Sequence, residues 1–82
     1  MVRLRRDKAF EVKFKKIKDN LLRERVKKQI EKIILNPEVG KPMMYGRKGT
    51  RELYLSPFRL SYLYLKSEDV ITLLDLYHKD KQ

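Results

Sequence analysis

The sequence predicts an α+β fold: an N-terminal antiparallel helical hairpin over 7–36, packed on one face of a small, three- to four-stranded antiparallel sheet over 43–78. Three observations lead there. Apolar residues recur at helical spacing before Pro37, they alternate with period two after it, and short polar turns separate the segments. A chain of 82 residues makes one domain.

Phe10, Phe14, Ile17 and Leu21 are spaced 4, 3 and 4 apart, one face of a helix, and the residues between them are mostly charged. Asp19-Asn20 breaks this pattern, and either side chain can cap a second helix. Val26, Ile30, Ile33 and Ile34 continue at helical spacing. Asn36-Pro37 ends the second helix, because a residue before proline is pushed out of the α region. Val2-Arg3-Leu4 can add a short edge strand ahead of the hairpin.

Beyond Pro37, residues 51–55 read as a strand and Ser56-Pro57 as a tight turn. Residues 58–66 form a longer strand. Phe58, Leu60, Tyr62 and Tyr64 lie on one side of it, with Arg59, Ser61, Leu63 and Leu65 on the other. Ser67-Glu68-Asp69 turns the chain into an apolar strand at 70–77. A three-residue loop there pairs Lys66 with Val70, and sets Arg59 opposite Tyr77 and Ser61 opposite Asp75. Polar groups then gather on one face, while Leu60, Tyr62 and Tyr64 share the other with Leu74 and Leu76. A two-residue loop would set Arg59 opposite His78 and mix the faces, so the first register is the expected one. Lys79 would continue the face of Asp75 and Tyr77.

Net charge is +10, and its placement is uneven. Residues 1–49 hold 16 Lys and Arg against 6 Asp and Glu, whereas 50–82 hold 5 of each. Such a field favours a polyanion: nucleic acid, a ribosome or an acidic protein. The absence of cysteine excludes a disulfide framework and a thiolate metal site. With one histidine and no phosphate-cradling glycine loop, neither a metal nor a cofactor is expected. No apolar run approaches the roughly 18 residues of a membrane helix. The basic N-terminus lacks the apolar stretch of a secretory signal, so cytoplasm is the expected location.

Arg59 is the strongest candidate for chemistry, since a cation in mid-sheet must be paired or face a cleft. The alternative is an ion pair with Asp75. Arg51 is a rim charge open to either a solvated or a functional reading. Glu52 points to the other side of its strand from Arg51 and reads as a surface residue rather than a general base, with an outward face near the cleft as the alternative. His78 is the one histidine, a residue type that can move a proton near neutral pH. Tyr54 and Tyr77 are the tyrosines best placed to stack on bases, whereas Tyr62 and Tyr64 belong to the core with their hydroxyls at its rim. The Gly46-Arg47-Lys48-Gly49 loop is a basic turn. Lys13 and Lys16, on the solvated face of the first helix, add attraction for phosphate.

From Lys13 onward the chain resembles the RelE/ParE superfamily of toxins from bacterial and archaeal toxin–antitoxin modules. The resemblance rests on a helical hairpin ending in ILNPE, a basic glycine-containing loop, RELYLSPFRLSYLYL, a short acidic turn and ITLLDLYHKD. Phe58-Arg59-Leu60-Ser61-Tyr62 and His78-Lys79 fit the family pattern, and their order and spacing carry it. The resemblance implies a RelE-like toxin that cleaves messenger RNA on the ribosome, with the RNA 2′-hydroxyl as nucleophile and no protein nucleophile or metal. Arg59 and Lys79 would hold the scissile phosphate and His78 would take part in proton transfer. Arg51 matches a basic residue of the preceding strand, and Arg47 and Lys48 match a generally basic loop. Arg47, Lys48, Tyr54, Tyr77, Lys13 and Lys16 are the expected RNA contacts. Many ribonuclease members carry a tyrosine a few residues past the His-basic pair. This sequence reaches Gln82 without one, so either His78 or Tyr77 would take the acid/base role or the toxin is weakened. A second branch of the superfamily poisons DNA gyrase instead, and a non-catalytic basic nucleic-acid-binding module is the third expectation. The expected partner is an acidic antitoxin, in a heterodimer or heterotetramer, besides the ribosome and its message.

Overall fold

Each apolar period in the sequence becomes one element of a computed structural model that describes residues 2–43 and 49–78. The order is β1 (Arg3–Arg6), α1 (Lys8–Lys16), α2 (Asn20–Leu35), β2 (Lys41–Pro42), β3 (Thr50–Leu55), β4 (Phe58–Leu65) and β5 (Val70–His78). Phe10 of α1 and Val26 and Ile33 of α2 pack with Leu55, Leu60, Tyr62, Ile71, Leu73 and Leu76 in one core. Both helices therefore cover the same face of the sheet. No helix among the described residues is long and apolar enough to cross a membrane.

The helical hairpin forms where expected, with one change of phase. Asp19 is the N-cap of α2, its carboxylate accepting the Leu21 N–H at 2.9 Å. Leu21 does not join the face of Phe10 and Phe14. The backbone leaves helical geometry at Ile17, the phase restarts at Asn20, and Leu21 ends 78% exposed. Arg23 ties the elbow together: its Nη1 donates to the carbonyls of Phe14 (3.3 Å) and Ile17 (3.0 Å), and its guanidinium lies 4.6 Å from the Phe14 ring centroid. It thereby satisfies the Ile17 carbonyl beyond the end of α1 and adds a second donor to the Phe14 carbonyl, which already accepts the Ile17 N–H.

The sheet differs from the expected three or four antiparallel strands. It has five strands, in the order β1-β5-β4-β3-β2, and β1 runs parallel to β5. Two of its strands are nearly invisible to periodicity. β1 has three arginines in four residues and only Leu4 turns to the core; β2 has two residues. Parallel pairing is possible because the whole chain between β1 and β5 serves as the crossover. Arg3 N–H donates to Asp69 O at 2.9 Å and Asp7 N–H to Leu73 O at 2.8 Å, which fixes both ends of the pair.

The β4–β5 hairpin reaches its register by a route the alternation does not disclose. Leu65, not Lys66, pairs with Val70, so the loop has four residues and Asp69 takes a positive φ of 55°. A shift between Ser61 and Tyr62 then absorbs Leu74 as an extra residue on β5. Past it, Arg59 opposes Tyr77 and Ser61 opposes Asp75, as expected. Before it, Tyr62 pairs with Leu73, so Leu73 rather than Leu74 is the fully buried core residue.

Tyr62 is wholly buried, hydroxyl included, and not at the core's rim. The hydroxyl donates to Pro37 O at 2.7 Å and accepts Gly40 N–H at 2.8 Å, so one side chain of β4 clamps the α2–β2 connection. Gly40 is required there, because a Cβ would lie 2.6 Å from that hydroxyl. Removing the hydroxyl leaves a buried N–H and a carbonyl without a partner. Tyr62→Phe is therefore expected to cost about 1–3 kcal/mol in urea denaturation. Burial also holds the Tyr62 phenol above its ordinary value of 10.0. Its share of stability is present below about pH 10 and lost as pH rises through the higher folded-state value, a loss the phenylalanine variant should not show.

Candidate functional site

Side chains on the sheet face that the helices leave uncovered follow directly from the pairing. Tyr54, Arg59 and Tyr77 lie in one cross-strand row; Glu52, Ser61 and Asp75 lie in the next, and Lys41 of β2 faces Glu52. Lys41, Glu52, Tyr54 and Arg59 line a cleft of about 270 Å³.

Glu52 organises this cleft. Its Oε1 lies 3.2 Å from Arg59 Nη1, and its Oε2 accepts the Tyr77 hydroxyl at 2.6 Å. Arg59 and Glu52 are partly buried, with side chains 29% and 21% exposed, so the pair is neither solvent-screened nor fully desolvated. The expected alternative partner of Arg59, Asp75, is instead taken by Lys13 at 3.0 Å. Glu52 engages only Nη1 of Arg59, and a guanidinium carries five N–H donors, so the fork keeps donors for a second oxyanion. Burial and Glu52, as hydrogen-bond acceptor and as negative charge, lift the Tyr77 phenol above 10.0, with Arg59 opposing. At neutral pH Tyr77 is therefore an O–H donor rather than a base. Tyr54 is half exposed beside Arg59 and presents a ring at the cleft's edge.

The remaining sequence candidates divide. Arg51 lies on the helix-side face, opposite Tyr62, and its guanidinium is engaged there: Nη1 donates to Glu38 O at 3.0 Å and Gly40 O at 2.6 Å, with the Glu38 carboxylate 3.7 Å from Nη2. It is the second clamp on the loop that Tyr62 holds. His78 also turns to the helix side, opposite Phe58, edge-on to that ring at 5.5 Å. With Lys13, Lys16, Ile17 and Leu22 it lines a second cleft, and Tyr77 borders both clefts. Arg47, Lys48 and Lys79 lie outside the described residues.

Sequence reasoning missed two members of the cleft. Glu52 reads as a surface carboxylate because its link to Arg59 is diagonal across two strands. Its position two residues before Tyr54, on the face of a mid-strand arginine, was the available signal. Lys41 carried none, since β2 is too short to show a period.

Replacing Glu52 by glutamine removes the negative charge beside Tyr77. The Tyr77 phenol should then titrate closer to 10.0 in Glu52→Gln than in the parent, read by ultraviolet difference titration with Tyr77→Phe as the subtraction.

A family model described as the ParE toxin of the type II toxin–antitoxin system parDE matches residues 4–82. The fold is similar to several solved toxins. The isolated RelE toxin of E. coli superposes with a TM-score of 0.83 at 18% identity, over 100% of this chain and 88% of that one. The RelBE2 toxin–antitoxin complex of Mycobacterium tuberculosis gives 0.78 at 20% identity, over 95% and 98%. The YoeB/ParE toxin of Agrobacterium tumefaciens gives 0.81 at 13% identity, over 94% and 98%. At these identities the structures establish the fold alone. A search of curated proteins finds no match.

Proposed function

The chain belongs to the ParE toxin family of type II toxin–antitoxin systems, and from that premise we propose that it is a ribosome-dependent endoribonuclease acting on messenger RNA. The observation that carries the proposal is the Arg59–Glu52–Tyr77 network on an uncovered sheet face, beside an exposed tyrosine and a lysine. Such a cleft offers a cation for a phosphate, a carboxylate for a proton and a ring for a base.

In the proposed reaction the RNA 2′-hydroxyl attacks its own 3′-phosphate. The O2′–P bond forms, the P–O5′ bond breaks, and the products are a 2′,3′-cyclic phosphate and a 5′-hydroxyl. Glu52 accepts the 2′-hydroxyl proton. Arg59 meets the charge that builds on the phosphate oxygens. Once Glu52 has taken that proton, the Tyr77 hydroxyl, on the same face, is assigned the proton for the leaving oxygen, and Lys79 further positive charge; His78, turned to the helix side, borders the neighbouring cleft and has no assigned step. Tyr54, with Arg47, Lys48, Lys13 and Lys16, is assigned to holding the RNA. Arg51, engaged with Glu38 and Gly40, has no part in this scheme. The partner is an acidic antitoxin that covers the basic N-terminal half, in a heterodimer or heterotetramer.

The ParE description of the matching family favours a second reading, binding and poisoning of DNA gyrase. One experiment separates the two. Primer extension on messages from cells expressing the chain should give sharp, codon-positioned ends, and Arg59→Ala at equal expression should lose them, a deficit of about 3 kcal/mol or a hundredfold in rate. Intact messages with accumulating DNA damage would establish the gyrase reading instead.

A further inference from the structure

β1 carries two arginines that the cleft does not use. Leu4 packs against the core, so Arg3 and Arg5, on either side of it, project to the uncovered face. Arg5 is opposite Thr72, Thr72 is opposite Leu63, and Leu63 is opposite Thr50. Leu63 and Arg59 stand on the same face of β4 with Ser61 between them. The face therefore has a cationic β1 edge at one end and the Arg59 cleft at the other. Between them lie the half-buried Thr72 and Leu63, with Ser61 buried beneath and its hydroxyl directed to the Asp75 carbonyl.

The acids on this surface are already paired, Asp75 with Lys13 and Glu52 with Arg59. Neither Arg3 nor Arg5 has a carboxylate within 4.0 Å among the described residues. Four residues along β4 and two strands across put Arg5 roughly 16 Å from Arg59, from a rise of about 3.3 Å per residue and a strand spacing of about 4.8 Å. That is the span of a few nucleotides of single strand, within the footprint of single-strand-binding sheet surfaces.

We propose that the uncovered face is a track for single-stranded RNA, running from the Arg59 cleft diagonally across β4 and β5 to phosphate contacts at Arg5 and Arg3. It rests on the reading that Arg59 engages an RNA phosphate, and adds a second contact point that fixes the strand's direction. Arginines on an edge strand can also serve only to discourage edge-to-edge pairing. That role is indifferent to RNA length and so is separable.

The test is fluorescence anisotropy at several salt concentrations with a labelled trinucleotide and a labelled decanucleotide of RNA. Arg3→Ser/Arg5→Ser should bind the decanucleotide about tenfold more weakly, with a salt slope shallower by about 1.4, and should bind the trinucleotide unchanged. Lys28→Ser/Lys32→Ser, which removes equal charge from the helix side, should change decanucleotide binding by less than about twofold. Arg59→Ala should weaken both oligonucleotides. If the double serine variant does not fold, Arg5→Gln is read the same way with half the slope change. Equal losses in the β1 and α2 variants, or equal losses for both lengths, would overturn the track while leaving the Arg59 reading in place. No binding of either oligonucleotide by the parent would overturn the track, which needs contacts of its own off the ribosome, and unaltered binding by Arg59→Ala would overturn both.

Discussion

A single register shift in the β4–β5 hairpin governs both faces of the sheet. If the pairing that starts at Leu65 and Val70 ran on without it, Leu60 would meet Asp75 and Arg59 would meet Leu76. A carboxylate would then be forced against a fully buried leucine, at the cost of an unpaired buried charge. The extra residue on β5 removes that conflict. It places Leu76 against Leu60 inside, and in the same step brings Tyr77 beside Arg59 outside. Packing and chemistry here depend on one backbone irregularity, which is where bulges commonly re-aim side chains.

Glu52 turns this alignment into a unit. One carboxylate serves a guanidinium from β4 and a phenol from β5 while itself projecting from β3, so three adjacent strands must hold their relative positions for the cleft to exist. On the opposite face Tyr62 and Arg51 secure the loop that leads to β2, which delivers Lys41 to the cleft. The buried Tyr62 and the cleft's Arg59 thus sit three residues apart on one strand, serving opposite sides of it. Lys13 and Lys16 of the helical half line the neighbouring cleft that Tyr77 also borders, and the uneven charge as a whole suits attraction of a large polyanion.

Much of this was legible because it depends on local periods. The two helices, the three central strands and the pairing of Arg59 with Tyr77 follow from alternation and from keeping polar and apolar faces apart. The rest lies in features with no local period. β1 is a run of arginines interrupted by one leucine, and it pairs with a strand more than sixty residues away. The register at Arg59 was reached by compensating differences, a longer loop and a bulge, so the pairing was right there and off by one near Leu65. Leu21 shows that a spacing rule fails across a cap, where the helical phase restarts. Arg51 and Arg59 look alike in the sequence. Only the three-dimensional position of the 38–40 carbonyls makes one a clamp and leaves the other at a cleft.

The central claim is that Arg59 and Glu52 act as one unit on the RNA. It is tested most directly by a double-mutant cycle in single-turnover cleavage on programmed ribosomes, with Arg59→Ala, Glu52→Gln and their combination. The account predicts that each single change lowers the rate about a hundredfold and that the pair is hardly worse than either. Losses that simply multiply, or a Glu52→Gln variant that cleaves at the parental rate, would contradict it.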